Sequence, residues 1–250
     1  MLNPKLSVIT VVYNSENLIE KTIQSIINQT YTNIEYIIID GASTDSTMEI
    51  VNHYSNKISK IISEPDNGLY YAMNKGLDVA SGDYVLFINA GDMLCDTNIV
   101  SEIFFNQQAT QADVIYGDTD IIDNKGKIIH ERRHRPPEKL KFKSFKRGML
   151  VCHQSFIAKK SLAPHYDTNF RYAADYDWCV KILKQSKKNY NANRTISFFL
   201  EGGQTRKTII PGLKERFKSM KNNYGIMSAI FWNIILGIKF TWFVAIHRWF

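Results

Sequence analysis

Cysteine is scarce in this chain. Its 250 residues hold three, Cys95, Cys152 and Cys179, at no metal-ligand spacing and in odd number. That excludes a disulfide framework and fits a reducing compartment. No leader is expected either. No basic flank followed by a cleavable apolar run opens the sequence, and the apolar stretch 6–13 is too short for a signal. The chain is therefore expected to begin folding in the cytoplasm. No Gly-x-Gly-x-x-Gly opens a helix, which excludes a dinucleotide oxidoreductase. Internal repeats and low-complexity segments are absent. Acidic residues are outnumbered, 24 against 31 basic ones, for a net charge of +7.

What is there reads as a globular α/β chain, long enough for a sizeable core. Hydrophobic residues make up 44% and charged residues 22%, an ordinary balance. Residues 6–13 form a β-branched run with the look of a buried strand. Asn14 or Ser15 caps a helix carrying Leu18, Ile19, Ile23, Ile26 and Ile27. Strands follow over 34–39, 57–63 and 84–89, with helices near 48–51 and over 70–79. This alternation predicts a mostly parallel sheet with helices on both faces. Ligands bind such sheets at the carboxyl ends of the strands. Asn14, Asp40, Glu64 with Asp66, and 89–92 stand at four such ends and converge on one crevice.

The second half is more mixed. Residues 114–118 and 127–132 read as strands around a turn at Asn124-Lys125-Gly126. Residues 133–148 are basic, contain Pro136-Pro137, and read as an irregular loop. A short apolar strand leads into His153-Gln154-Ser155. Residues 172–184 read as a helix. Basic residues cluster from Lys125 to Arg147 and from Arg206 to Lys221. Such patches suit phosphate-bearing ligands or anionic lipid, or simply a solvated surface. A nucleic-acid binder would explain them but not the four polar strand ends, so nucleic acid is not an expected partner.

Asp40, in Asp40-Gly41-Ala42-Ser43-Thr44-Asp45, follows a strand and opens a helix. A carboxylate there accepts hydrogen bonds from a base N–H or a ribose hydroxyl. Gly41 permits the tight turn, and Asp45 reads as a helix cap. Here the chain resembles the inverting family 2 glycosyltransferases of GT-A fold. The matching pieces are Val8-Ile9-Thr10-Val11-Val12-Tyr13-Asn14, the Asp40–Asp45 segment, and Asn67-Gly68-Leu69-Tyr70-Tyr71-Ala72-Met73-Asn74-Lys75-Gly76. Further on come Ser81-Gly82-Asp83-Tyr84-Val85-Leu86-Phe87-Ile88-Asn89-Ala90-Gly91-Asp92 and Ala174-Asp175-Tyr176-Asp177-Trp178. Together they cover roughly residues 6–200.

The resemblance implies sugar transfer from a nucleotide-sugar, usually a UDP-sugar, with a divalent cation, Mn2+ or Mg2+. Asn89-Ala90-Gly91-Asp92 stands where the family has its Asp-x-Asp metal motif, with Asn and Gly at acidic positions, so Asp92 is the one carboxylate left. Asp175 matches the catalytic base, with Ala174 in place of the usual Glu. By its position alone, Asp175 would equally serve the start of its helix. Asp177 reads as structural. Tyr13, Asn14, Glu64, Asp66, Lys75, Asn89, Ala90 and Gly91 join Asp40 as donor-site candidates. Tyr13 either stacks on the base or fills the core. His153 is a candidate for the metal or the diphosphate, or is a structural histidine. Asp118 is placed on the acceptor side, and Arg133, Arg135 and Lys143 on a loop that either clamps diphosphate or is merely solvated.

Three parts are expected: a GT-A domain over 1–205, with a nucleotide half to about 95 and an acceptor half over 96–205, then a basic and apolar helical tail over 206–250. Residues 226–246 are nearly long enough to cross a bilayer, but Asn233 and Lys239 interrupt them. A mid-span lysine costs roughly 3 kcal/mol. Tryptophans 232, 242 and 249 suit the headgroup boundary. An interfacial helix or hairpin on the inner face of the membrane is expected, and packing on the domain or on a second copy is the alternative. Membrane contact fits a polyprenyl-diphosphate-linked acceptor in surface polysaccharide (O-antigen or capsule) assembly. The competing functions are a degenerate, non-catalytic nucleotide-sugar binder and a nucleotidyltransferase. Against the latter, Val12-Tyr13-Asn14-Ser15-Glu16 stands where its glycine-rich phosphate loop belongs.

Overall fold

A computed structural model describes residues 3–202 and 209–247. Four strands build its first half: β1 (Leu6–Val12), β2 (Ile34–Asp40), β3 (Lys60–Ser63) and β4 (Tyr84–Phe87). All pair in parallel, in the spatial order β3-β2-β1-β4. β1 is buried on both faces, as a continuous β-branched run requires in such a sheet. The third strand starts at Lys60 rather than 57, because residues 55–57 close a 3-10 turn.

Side chains alternate between two cores. Ile9, Val11, Ile37, Ile39 and Phe87 meet α3 (Leu69–Val79) and α6 (Ala174–Gln185) on one face. Leu6, Val8, Val12, Ile38 and Leu86 meet α1 (Ile19–Ile27) and α4 (Ile99–Phe105) on the other, with Val51 of α2 (Thr47–His53). Gly76 lets α3 lie close on the sheet; a β-carbon there would stand 2.5 Å from Ile9 Cγ2.

The second half of the sheet is mixed. β8 (Phe156–Lys159) joins β4 antiparallel, and β6 (Val114–Ile122) joins β8 antiparallel. β9 (Asn189–Leu200) runs parallel to β6. The two-residue β5 (Met93–Leu94) closes the far edge on β9. β7 (Ile128–Glu131) folds back on β6 through the expected turn, where Asp123 accepts N–H bonds from Lys125 and Lys127. Between the halves, α5 (Gln107–Thr110) is a single turn. The expected strand before His153 is not formed. Residues 153–155 make a 3-10 turn instead, and the apolar strand is β8, after it.

Two helices end the described chain. α7 (Ile209–Tyr224) packs on α6, and Met220 is fully buried in the core. Gly225, at φ +82°, turns the chain into α8 (Ile226–His247). Ala229 of α8 is buried in the same core, with Trp232 packed against it. The opposite face is open: Met227, Phe231, Ile234 and Ile238 are all more than half exposed. No helix among the described residues is long and apolar enough to cross a membrane. The Arg147 guanidinium lies 5.8 Å from the centre of the Trp232 ring. Arg206, Lys207 and Trp249 lie outside the described residues, as do the side chains of Lys239 and Trp242.

Candidate active site

Parallel register brings the ends of β1, β2 and β3 level: Val12 faces Asp40, and Asp40 faces Ser63. The two loops that leave β1 and β2 are laced together. The Asn14 N–H donates to Ser43 Oγ and the Thr44 N–H to Asn14 Oδ1, both at 2.8 Å. The Ser15 N–H donates to Thr47 Oγ1, and the Ser46 N–H to Glu16 Oε2. Asn14 (φ +44°) and Ala42 (φ +61°) hold left-handed backbone, at about 1–2 kcal/mol each. Four cross-loop bonds, at about 1 kcal/mol apiece, offset that cost. Backbone strain of this kind gathers at ligand sites.

Asp40 takes a different part from the one expected. It is fully buried, and its oxygens accept from the Ser43 N–H and Oγ and from Ser63 Oγ at 2.6 Å. Its carboxylate holds the loop from beneath. The exposed surface there is Tyr13, 61% accessible, whose ring lies across Gly41. Asp66 stands on the other side of Gly41. It pairs with Lys75 (2.5 Å), its Oδ2 has no protein donor, and Lys75 also holds Glu64 at 2.8 Å. Desolvation pulls the Lys75 ammonium down, but the two carboxylates outweigh it and raise it above its ordinary value.

Beyond β4 the chain reaches Asn89. Asn89 Nδ2 lies 3.4 Å from His153 Nε2, and His153 Nδ1 lies 3.6 Å from Asp175 Oδ2. Three residues far apart in sequence thus form one line. Asp175 Oδ1 also accepts from the Tyr176 N–H (2.8 Å) and from the Tyr70 hydroxyl (3.4 Å). Burial first, and the Asp175 charge second, push the Tyr70 phenol well above its usual range, so it stays a donor. Beneath Asp175 an aromatic stack fixes the platform. Tyr70 stacks on Tyr166, Tyr166 stacks on Trp178, and Phe87 meets Trp178 edge-on.

Asp92, expected as the metal carboxylate, is turned inward. It is 5% exposed, and Gln154 Nε2 and the Leu200 N–H donate to its two oxygens at 2.7 and 3.1 Å. Burial raises its carboxyl to about 6, against these bonds and the nearby His153. It braces β9 and the 153–155 turn. Gly91 leaves no room for an acidic side chain: φ is +98°, and a β-carbon would meet Leu200 Cδ2 at 2.8 Å. Among the described residues no three His, Cys, Asp or Glu side chains could hold a metal ion together. The fitting atoms are Asn89 Oδ1, which is buried without a partner among the described residues, and the His153 imidazole. That is a partial seat, which suits a cation brought in with diphosphate oxygens.

Asp118 and Arg135 pair with each other at 2.9 Å, and Arg135 also pairs with Glu131. Lys143 is exposed on the 3-10 turn over 142–147. Reasoning from sequence missed Tyr70, Gln154 and Ser63 as site partners. Tyr70 and Gln154 lie within segments already quoted; Ser63 carries no such signal.

The family model described as glycosyl transferase family 2 matches residues 7–165. A PGL/p-HBAD biosynthesis glycosyltransferase of Mycobacterium tuberculosis is 28% identical over 190 residues, which cover 72% of this chain and 70% of that protein. Among solved structures, TarS of S. aureus superposes with a TM-score of 0.69 at 17% identity, over 90% of this chain and 41% of that one. This chain therefore spans less than half the length of TarS. Residues 1–349 of TarS have been solved in complex with UDP-GlcNAc. The mannosyltransferase PcManGT from Pyrobaculum calidifontis, solved with GDP-Man and Mn2+, gives a TM-score of 0.62 at 15% identity, over 95% and 76%. These likenesses show a shared fold.

Proposed function

The chain belongs to glycosyl transferase family 2, and from that premise we propose that it transfers a sugar, with inversion, from a UDP-sugar to an acceptor hydroxyl. The observation that carries the reading is the line Asn89–His153–Asp175 beside the nucleoside corner. Tyr13 offers an exposed ring for the base, and Asp66 Oδ2 an unused acceptor beside it. Asp40 and Asn14 hold the loop in shape for them. Asp175 takes the proton of the acceptor hydroxyl while that oxygen attacks the anomeric carbon. The new bond forms on the face opposite the diphosphate, and the old C–O pair leaves with UDP. The Tyr70 hydroxyl and His153 keep the carboxylate aimed. Asn89 Oδ1 and His153 would hold a Mn2+ or Mg2+ ion. When bound, the ion offsets charge growing on the departing diphosphate.

The finer setting follows from α8. Its open apolar face, with Lys214, Lys218 and Lys221 exposed on α7, matches the surface of an anionic bilayer. The acceptor on this reading is a polyprenyl-diphosphate-linked saccharide at the inner face of the membrane. Residues 1–95 serve the nucleotide, 96–205 the acceptor, and 206–250 the membrane.

The test is a donor panel with Mn2+ and Mg2+ titrations, comparing wild type with Asp175→Asn. The variant should keep UDP affinity and lose roughly 100-fold or more in turnover. Full transfer by the variant would remove Asp175 as base. UDP binding with no transfer by the wild type would favour a degenerate binder.

A further inference from the structure

Three successive backbone N–H groups converge on one carboxylate that comes from another helix. Arg171 donates to Glu215 Oε1 at 2.9 Å; Tyr172 and Ala173 donate to Oε2 at 2.7 and 2.9 Å. These residues lead directly into α6, on whose first turn Asp175 stands. The N-cap of α6 is Ala173, which has no side-chain acceptor. Alanine is a poor residue there, because the first N–H groups of a helix need partners. Glu215 supplies from α7 a charged acceptor that the local sequence lacks, and an anion at a helix start also suits the helix dipole.

Glu215 is not needed simply to dock the two helices. Further along, Asp177 Oδ1 accepts from Ser219 Oγ (2.6 Å) and Asn223 Nδ2 (3.1 Å), and Asp177 is 1% exposed. Those bonds, with buried Met220, hold α7 on α6. Glu215 acts one turn earlier, on the entry strap over 171–173 alone. That strap sets the height and rotation of the first turn of α6. The Asp175 carboxylate must reach both His153 and an acceptor oxygen from there.

We propose that Glu215 is a positioning residue for Asp175, acting through residues 171–173; the proposal rests on the reading of Asp175 as base. Glu215→Gln keeps the length of the side chain but puts an NH2 group where an oxygen accepted. At least one strap N–H then loses its partner.

Four measurements decide it: kcat, donor KM, UDP stoichiometry and affinity by calorimetry, and Tm. They are made on wild type, Glu215→Gln, Asp177→Asn and Asp175→Asn. Glu215→Gln should lower kcat about 10- to 100-fold, the range for a misplaced reacting group. Donor KM and UDP affinity should stay within about two-fold, because Tyr13 and Asp66 lie on other elements. Asp177→Asn should lower Tm and leave kcat per UDP-binding site near wild type. Wild-type kcat in Glu215→Gln would overturn the proposal. So would equal losses of kcat and UDP stoichiometry, which mark a strap that only supports folding. Full activity in Asp175→Asn would remove the base, and with it anything for Glu215 to position. The first two results leave the base reading intact, so the two failures are distinguishable.

Discussion

Asp92 is an acid held where water hardly reaches. Its carboxyl has an ordinary value of 3.8 when exposed and about 6 in the fold, and burial is the main cause. The native state therefore binds the proton more tightly than the unfolded chain does. That stabilisation is complete below pH 4 and is lost as pH rises through about 6. The shift corresponds to about 3 kcal/mol. Tm measured from pH 4 to 7 should fall with rising pH, and Asp92→Asn should flatten that slope. An unchanged slope in the variant would assign the titration to another group. At this scale the sequence identified Asp175, Asn89 and His153 singly but not their line, because the 22 residues from 153 to 175 are bridged only by folding. Asp40 does close β2, but Asp92 lies five residues past the end of β4, just ahead of β5. Whether a strand-end carboxylate faces the crevice or the loop beneath depends on partners such as Ser63 and Leu200, which arrive from other strands.

At the scale of elements, long apolar runs were legible and half-polar ones were not. β1 and β2 are buried along their lengths, so their runs carry the signal alone. β9 reads Asn-Tyr-Asn-Ala-Asn-Arg-Thr at its start and is only partly buried there, so nothing local marks it as a strand. Its pairing with β6 supplies what its sequence lacks. α7 lies within the expected helical tail: its lysines face water, while Ser219 and Met220 are buried and Phe217 and Tyr224 pack against the core. α8 invites a test by charge. Met227→Glu with Ile234→Glu alters the open face and leaves Ala229 and Trp232 packed. Co-sedimentation with vesicles rich in anionic lipid should drop several-fold, with Tm unchanged. Undiminished sedimentation would point to another surface. If the wild type instead runs as a dimer that the variant breaks, the face belongs to a second copy.

Across the whole molecule, work is divided between the two halves of the sheet. On the proposed reading the base and ribose would sit on the ends of β1, β2 and β3, and the acid–base line would stand where the segment after β4, the 153–155 turn and α6 meet. The metal question falls between them. Asn89 Oδ1 and His153 offer too few ligands to hold a hard cation without help. Mn2+ binding, followed by loss of the free-ion EPR signal, should be weak for the protein alone. It should tighten at least 10-fold with UDP present, and His153→Ala should reduce that gain. Equal Mn2+ affinity with and without UDP would mean a complete protein site elsewhere.

The position of β5 gives the molecule an order of assembly. Its two residues pair only with Phe198 and Ser197 of β9, and Asp92 waits on the Leu200 N–H. The nucleoside corner needs nothing beyond β4 and its neighbours. A chain emerging from the ribosome can therefore shape that corner early. The segment over 89–94 is held early by β1 and α1, where the Gly91 and Leu94 N–H groups donate to Thr22 and Ser25. The bonds from the Cys95 N–H to the Ile196 carbonyl and from the Leu200 N–H to Asp92 form only after more than a hundred further residues have arrived, and such distant pairings close late. Pulse-labelled hydrogen exchange during refolding should show the amides of β1 and β2 protected before that of Cys95. Simultaneous protection would mean that the two halves close as one. On the expected order, the part that recognises a nucleotide is older, in the life of each molecule, than the part that releases it.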